Sequence, residues 1–300
     1  MIIRIHHHTV YTYGQAVGFG AHKLRLRPRE NRLLKVNHFH VETSPPGRLR
    51  WVRDVFSNIV LVVDFGLQRS NRLVFDVRLE LETGEENPFD FVLEPHATGF
   101  PFEHTDYEKT VLAPSIHTPV PGSDTVMDWF HSRWPGPARH DDVVAFLADI
   151  NLGIRQAIRY ERREEEGVRT PDETLALGSG SCRDMAVLLM ALCRRLGLAS
   201  RFVSGYLHIP ESSPGNPESG GVNRAAGSMH AWTEVYLPGA GWKGFDPTNG
   251  IFANHAFAPS AVGIDAGAVD PIEGAYFADE PVPSRMKVTL TMEEGTRSGD

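Results

Sequence analysis

The chain has 300 residues, 41% of them apolar and 23% charged, and its 30 Lys plus Arg against 38 Asp plus Glu leave a net charge of −8. This is enough apolar material for one large or two ordinary domains, and it excludes a disordered or collagen-like chain. The longest unbroken apolar run, residues 185–193, falls well short of the roughly 20 residues that a membrane-crossing helix needs. The acidic balance argues against a nucleic-acid or acidic-lipid partner and for a peptide or small-molecule one.

The first eight residues lack the basic, apolar and small-residue succession of a secretory signal, so the expected location is the cytoplasm. From Ile2 to about Leu112 the apolar residues recur with period two, as at 36–41, 58–63 and 73–81, with turn clusters at 44–47 and 83–88 between them. This pattern predicts an all-β, sandwich-like domain over 1–112. Pro114, Pro119 and Pro121 then mark a linker at 113–122.

Residues 123–294 read as a second domain, of α+β class. A helix is expected over 141–163, started by Asp141 and Asp142, striped by Val144, Leu147, Ile150, Ile154 and Ile158, and stopped by Gly167. The Gly/Ser-rich stretch 177–181 runs directly into Cys182-Arg183-Asp184 and the most apolar helix of the chain. Ser181 and Asp184 have the spacing of a capping box, which puts the helix start at Cys182. Met185, Leu188, Leu189, Leu192 and Leu196 keep one face, and Gly197 is the stop signal. Strands follow at 201–207, 230–236 and 241–246, the last two joined by a turn at Pro238-Gly239. The loop 210–227 reads either as a lid or as a plain connection. A last strand is expected at 286–291, within the second domain, and a disordered tail at 295–300.

Two cysteines cannot form a disulfide framework, so each is a packed hydrophobe or a reactive thiol. Cys193 shares the apolar face of its helix and reads as core. Cys182 stands at a helix start, where unpaired N–H groups and the dipole favour a thiolate. A nucleophilic cysteine needs a base, and the base needs an orienting group. In the strand from His230 to Tyr236, His230, Trp232, Glu234 and Tyr236 share a face. A hairpin centred on Pro238 puts His230 opposite Asp246 on that same face, whereas one centred between Gly239 and Ala240 turns Asp246 away.

These residues resemble the transglutaminase-like superfamily, a branch of the papain-like cysteine enzymes. The resemblance rests on Gly180-Ser181-Cys182-Arg183-Asp184 before an apolar helix, on Ser204-Gly205-Tyr206, on the segment from His230 to Val235, and on Gly241-Trp242-x-x-Phe245-Asp246-Pro247-Thr248. The β-rich opening, with Thr9 to Tyr13, Leu24 to Pro28 and Asp54 to Asn58, looks like the domain that precedes this core in bacterial members. The resemblance implies a papain-like core with a helix packed on an antiparallel sheet. It implies a nucleophile at Cys182, a base at His230 and an orienting carboxylate at Asp246, with no cofactor. The implied chemistry is amide acyl transfer through a thioester, ending in hydrolysis by a cysteine protease or amidase, or in cross-linking by a protein-glutamine acyltransferase. A third reading keeps the fold as a peptide-binding module with a relic triad.

The Cys182 backbone N–H is one oxyanion donor; the second has no candidate, because position 176, where papain-like enzymes proper carry Gln, is Ala. Trp232 and Trp242 either wall an acyl pocket or pack the sheet, and Asp184 is either a site carboxylate or the cap partner. His6 with His8, and His38 with His40, share strand faces, yet no Cys-x-x-Cys or helical histidine pair supports them, so no metal site is expected. The Glu164-Glu165-Glu166 run reads as a solvated helix end.

Overall fold

The computed structural model describes residues 1–85, 87–136, 139–163, 167–208 and 229–295. Six strands open the chain: β1 (Ile2–Phe19), β2 (His22–Leu24), β3 (Leu34–Ser44), β4 (Arg48–Arg53), β5 (Ile59–Asp64) and β6 (Arg69–Thr83). After them come the helices α1 (Asp106–His117), α2 (Val126–Arg133) and α3 (Val143–Ala157), the short strand β7 (Arg159–Tyr160), α4 (Pro171–Leu177), the short strand β8 (Ser179–Gly180) and α5 (Cys182–Arg195). The remaining elements are all strands: β9 (Ser200–Leu207), β10 (His230–Leu237), β11 (Gly241–Asp246), β12 (Ile251–Phe252), β13 (Phe257–Gly263), β14 (Ile272–Glu273), β15 (Tyr276–Phe277) and β16 (Ser284–Gly295).

The first domain is a pair of sheets around one apolar core, and the C-terminal strands complete it. In one sheet β1 lies between β6 and β16, β3 flanks β6, and β15 pairs the end of β1; the other runs β14-β2-β5-β4. Ile3, Ile5, Phe75, Val77, Leu79 and Leu81 point inward and meet Leu24, Leu61, Val63 and Phe65 from the facing sheet. The pairing of β16 with β1, from Ile2 opposite Gly295 to Tyr13 opposite Ser284, corrects the expectation that the last strand belongs to the second domain. Leu290 is buried in the first domain's core, which fixes that docking. Gly295 is thus the end of a strand, and the rest of the expected disordered tail lies outside the described residues.

The expected linker 113–122 is also different, because residues 113–117 are the last turns of α1, whose capping box at Thr105 and Glu108 starts the helix inside the expected β domain. Helix α3 begins as expected, with Asp142 Oδ1 accepting from the N–H groups of Val144 (2.8 Å) and Ala145 (3.0 Å). It ends at Ala157 rather than Arg163. Ile158 turns extended, and the Arg159 N–H donates to Gly178 O (2.8 Å), which converts the expected last turns into β7 alongside β8.

The second domain is a five-stranded antiparallel sheet in the order β12-β11-β10-β9-β13, with α5 laid against it. Ala231, Val235 and Leu237 of β10 join the apolar side chains of α5 and α3 in one core. The Thr233 hydroxyl donates to Ala186 O (2.7 Å), locking the central strand to the helix. Cys193, on the buried face of α5, is fully enclosed and its thiol is pushed up to about 12 by burial. The two domains meet along β9 and β13. Tyr206 lies in the first domain's core and donates to Leu26 O (3.1 Å). Asn58 is fully buried and pairs with β13 like a strand residue: its Nδ2 donates to Val262 O (2.8 Å) and its Oδ1 accepts from Val262 N (2.9 Å).

Candidate active site

Cys182 is the first residue of α5, with Ser181 as its N-cap. The capping box is present: the Asp184 N–H donates to Ser181 Oγ (3.4 Å), while Asp184 Oδ2 accepts from Ser181 N (2.8 Å) and Oγ (2.9 Å). The same carboxylate accepts from Arg163 Nη1 (2.9 and 2.8 Å) and from the Arg169 N–H (2.7 Å). Asp184 is therefore completely buried and fully engaged. Its place is cap and anchor, not pocket wall, and it ties the stretch before α4 to the turn that carries the thiol.

The hairpin register differs by one step from the one that the turn signals suggest. Tyr236 stands opposite Trp242 and Leu237 opposite Gly241, so the loop is Pro238-Gly239-Ala240 and its centre is Gly239. Gly239 has φ +87°, and a Cβ there would lie 2.7 Å from Glu94 N, so the turn accepts only glycine without strain. The shift moves the partner by two residues, which keeps every side chain on its face. Asp246 comes level with Trp232 rather than with His230, and it reaches the histidine diagonally.

That contact is short and dry. His230 and Asp246 are both buried, and the His230 Nε2–H donates to Asp246 Oδ2 at 2.9 Å. Asp246 also accepts from the Thr248 N–H (2.9 Å) and from Asn249 Nδ2 (2.7 Å). Burial alone would lower the His230 pKa and raise that of Asp246. Mutual attraction and hydrogen bonding reverse both: His230 is pushed up to about 10, with smaller raising contributions from the Cys182 thiol, and Asp246 is held below the ordinary carboxylate range. The other ring nitrogen, Nδ1, is buried without an aligned hydrogen-bond partner, although Cys182 acts on the ring as a hydrogen-bonding neighbour. The thiol–imidazole contact is thus poised rather than fully formed, as is common in unliganded cysteine sites.

The tryptophans separate. Trp232 is 1% exposed; its ring stacks beside His230 (25° between planes, centroids 6.2 Å) and meets Phe257 edge-on, in a cluster with Val203, Leu207 and Val262. It packs the base rather than lining an open pocket. Gly205, on the adjacent strand, makes room for this ring, since a Cβ there would collide with Trp232. Trp242 lies at the far end of the hairpin beneath the Arg201 guanidinium (4.1 Å) and against Tyr236, away from Cys182. The loop 210–227, read as a lid or a plain connection, and the run Glu164-Glu165-Glu166 lie outside the described residues.

Tyr160 is the site residue that the sequence reading missed. β7 runs parallel to β8 with Tyr160 level with Gly180, two residues before the cysteine. Its hydroxyl is half-buried and pushed up to about 12, first by desolvation and then by the Cys182 thiol when ionised, with Asp246 adding to it and Arg162 and Arg183 opposing. The phenol therefore stays protonated at any working pH.

A model of the transglutaminase-like superfamily matches residues 138–247, and one of the bacterial transglutaminase-like N-terminal region matches 3–82. The chain belongs to the transglutaminase-like superfamily, whose members are papain-like cysteine enzymes. Within it the chain is of the bacterial kind, with the β-rich N-terminal region before the core. An uncharacterized protein of Mycobacterium leprae is 26% identical over 91% of this chain and 92% of its own length. One of Mycobacterium tuberculosis is 32% identical over 46% of this chain and 43% of its own. Among solved structures, a chain from Cytophaga hutchinsonii named as a "putative cysteine protease" superposes with a TM-score of 0.67 at 17% identity, covering 99% of this chain and 92% of that one, which establishes the shared fold.

Proposed function

We propose that the protein hydrolyses an amide bond of a peptide or protein substrate through a Cys182 thioester. The observation that carries this reading is the buried His230, charged by Asp246 through Nε2 and turned by its free Nδ1 toward a cysteine at a helix start. The Cys182 sulfur attacks the carbonyl carbon, and the oxyanion is met by the Cys182 N–H and the Tyr160 hydroxyl. His230 Nδ1 gives its proton to the leaving amine, leaving the acyl group on sulfur. A water molecule then attacks the thioester and loses a proton to Nδ1, and the carboxylic acid departs as the sulfur leaves as thiolate, which restores the thiolate–imidazolium pair. Asp246 keeps the ring oriented and stabilises its charge throughout. A cytoplasmic setting goes with this proposal.

Transamidation shares every step up to the thioester, so the test must separate the acceptors. Wild type and Cys182→Ala are incubated with a mixture of natural peptides, with and without a fluorescent primary amine, and the products are read by mass spectrometry. Hydrolysis predicts new carboxyl termini or deamidated glutamine, absent with Cys182→Ala, in preference to amine adducts. Adducts in preference would replace hydrolysis by acyl transfer to amines. No Cys182-dependent product, together with iodoacetamide alkylation of Cys182 that is unchanged in His230→Ala, would leave the peptide-binding reading in its place.

A further inference from the structure

Strand β1 carries three consecutive histidines, and alternation sends them to opposite sides. His7 points inward, buried against Tyr206, while His6 and His8 stand on the outer face of the sheet two residues apart. On the neighbouring strand β6, Asp76 is directly opposite His8. His6 Nε2 lies 2.7 Å and His8 Nδ1 2.8 Å from the same oxygen, Asp76 Oδ2. The three ligand-type atoms fall within 4.8 Å of one another. The second carboxylate oxygen, Oδ1, is buried without an aligned hydrogen bond, with Arg78 Nε 3.2 Å away on a side chain that is itself 61% exposed.

We propose that His6, His8 and Asp76 form a binding site for one divalent transition-metal ion of the zinc class, bridging β1 and β6. Two neutral imidazoles and a carboxylate are the donor set that such ions take. Around a tetrahedral ion with bonds of about 2.1 Å, neighbouring ligand atoms stand about 3.4 Å apart. Asp76 Oδ2 therefore has to withdraw by roughly 0.6 Å from each ring, a small rotation for a side chain at the surface. Each ring then carries its proton on the other nitrogen, Nδ1 of His6 and Nε2 of His8. Solvent supplies the fourth ligand from the open side. Arg78 leans on the oxygen that the ion does not need and is free to swing outward. Glu42, opposite Asp76 on β3, adds negative charge to the same face. The cluster is remote in chemistry from the cysteine site, and its effect is to pin the longest strand of the first domain to its neighbour. The expectation of no metal site weighed histidine pairs along one strand and lacked the cross-strand aspartate.

The test uses untagged full-length protein with Cys182→Ala, which removes the competing thiol, after dialysis against a chelator. Zn²⁺ is titrated calorimetrically, and Co²⁺ is used to read coordination geometry in the visible spectrum. The expected result is one ion per chain with a tetrahedral or five-coordinate cobalt spectrum, and affinity at least about tenfold weaker in His8→Ala and in Asp76→Asn. The double variant His38→Ala/His40→Ala removes the other surface pair on this sheet and should bind as the parent does. Circular dichroism of the chelated variants checks that each is folded. Absence of a stoichiometric site in the parent, or equal loss in the His38/His40 control, would overturn the proposal and leave the trio as a surface hydrogen-bond cluster.

Discussion

Asp246→Asn keeps the volume of the carboxylate and removes its charge. In the wild type the ring is raised from 6.5 to about 10, although burial pulls the other way. At about 1.4 kcal/mol for each tenfold change in proton affinity, this corresponds to on the order of 5 kcal/mol of coupling between the imidazolium and its surroundings, most of it with Asp246. The folded-state pKa of His230 lies above its unfolded value, so the stability that the pair contributes is complete below about 6.5 and is lost as pH rises through about 10. Asp246 is shifted below 3.8, so its side of the same contribution is lost as pH falls through that lowered value. In the Asn variant desolvation is opposed only by the smaller contributions of Cys182, and the ring should titrate well below the wild-type value. The assay is NMR of ring-labelled histidine between pH 5 and 11, alongside denaturant unfolding across the same range. The wild-type His230 should stay protonated through neutrality, and the variant should be about 3–5 kcal/mol less stable at pH 7, with the gap narrowing above about pH 10. A wild-type ring that titrates near 6.5, or a stability gap that does not change with pH, would refute the ion pair and the mechanism built on it.

Tyr160→Phe removes a hydroxyl and no backbone contact, so kcat on a cleaved substrate should fall about 10²-fold while Cys182 alkylation proceeds at the wild-type rate; a slowed alkylation would instead assign Tyr160 to positioning the thiol. Asp184→Ala removes the carboxylate that Arg163 donates to and leaves the N–H groups of Ser181 and Arg169 without their acceptor, so unfolding should become easier by about 3 kcal/mol, read by denaturant titration, with slower alkylation of Cys182 as the first turn of α5 loosens. Asn58→Ala removes both hydrogen bonds to Val262 from a fully buried position, and should cost about 2 kcal/mol or more while raising hydrogen exchange at the Val262 amide. No change at Val262 would mean that these two hydrogen bonds do not hold the edge of β13 in place.

What the sequence made legible was whatever depends on local chemistry. Ser181 and Asp184 announced the start of α5 to the residue, because a capping box is written within four positions. The alternation in 286–291 announced a strand in the same way, yet not its partner. Nothing in a period-two pattern says that β16 crosses the length of the chain to lie against β1. The same limit hid Tyr160. No glycine or proline marks the end of α3, and what converts Arg159 and Tyr160 to strand is a parallel bridge to Ser179 and Gly180, twenty residues downstream.

The pairing of His230 with Asp246 lies between these cases and shows why a catalytic constellation is easier to read than a register. A hairpin built on Pro238 and one built on Gly239 place different residues opposite each other. They agree on which side chains share a face, since both shift partners by an even count. A histidine and an aspartate on one face of adjacent strands can touch straight across or along the diagonal, because both side chains are long enough to cover a residue's rise. Face parity is fixed by the even separation of the two positions and by any turn with a residue at its centre, so it survives a displacement of that centre by one whole residue, though not a loop one residue longer or shorter. The outer-face trio of His6, His8 and Asp76 lacks that protection. Its two histidines are two apart on one strand, but the aspartate arrives only through the long-range register of β1 with β6, and only the folded sheet brings the three donors to a single point.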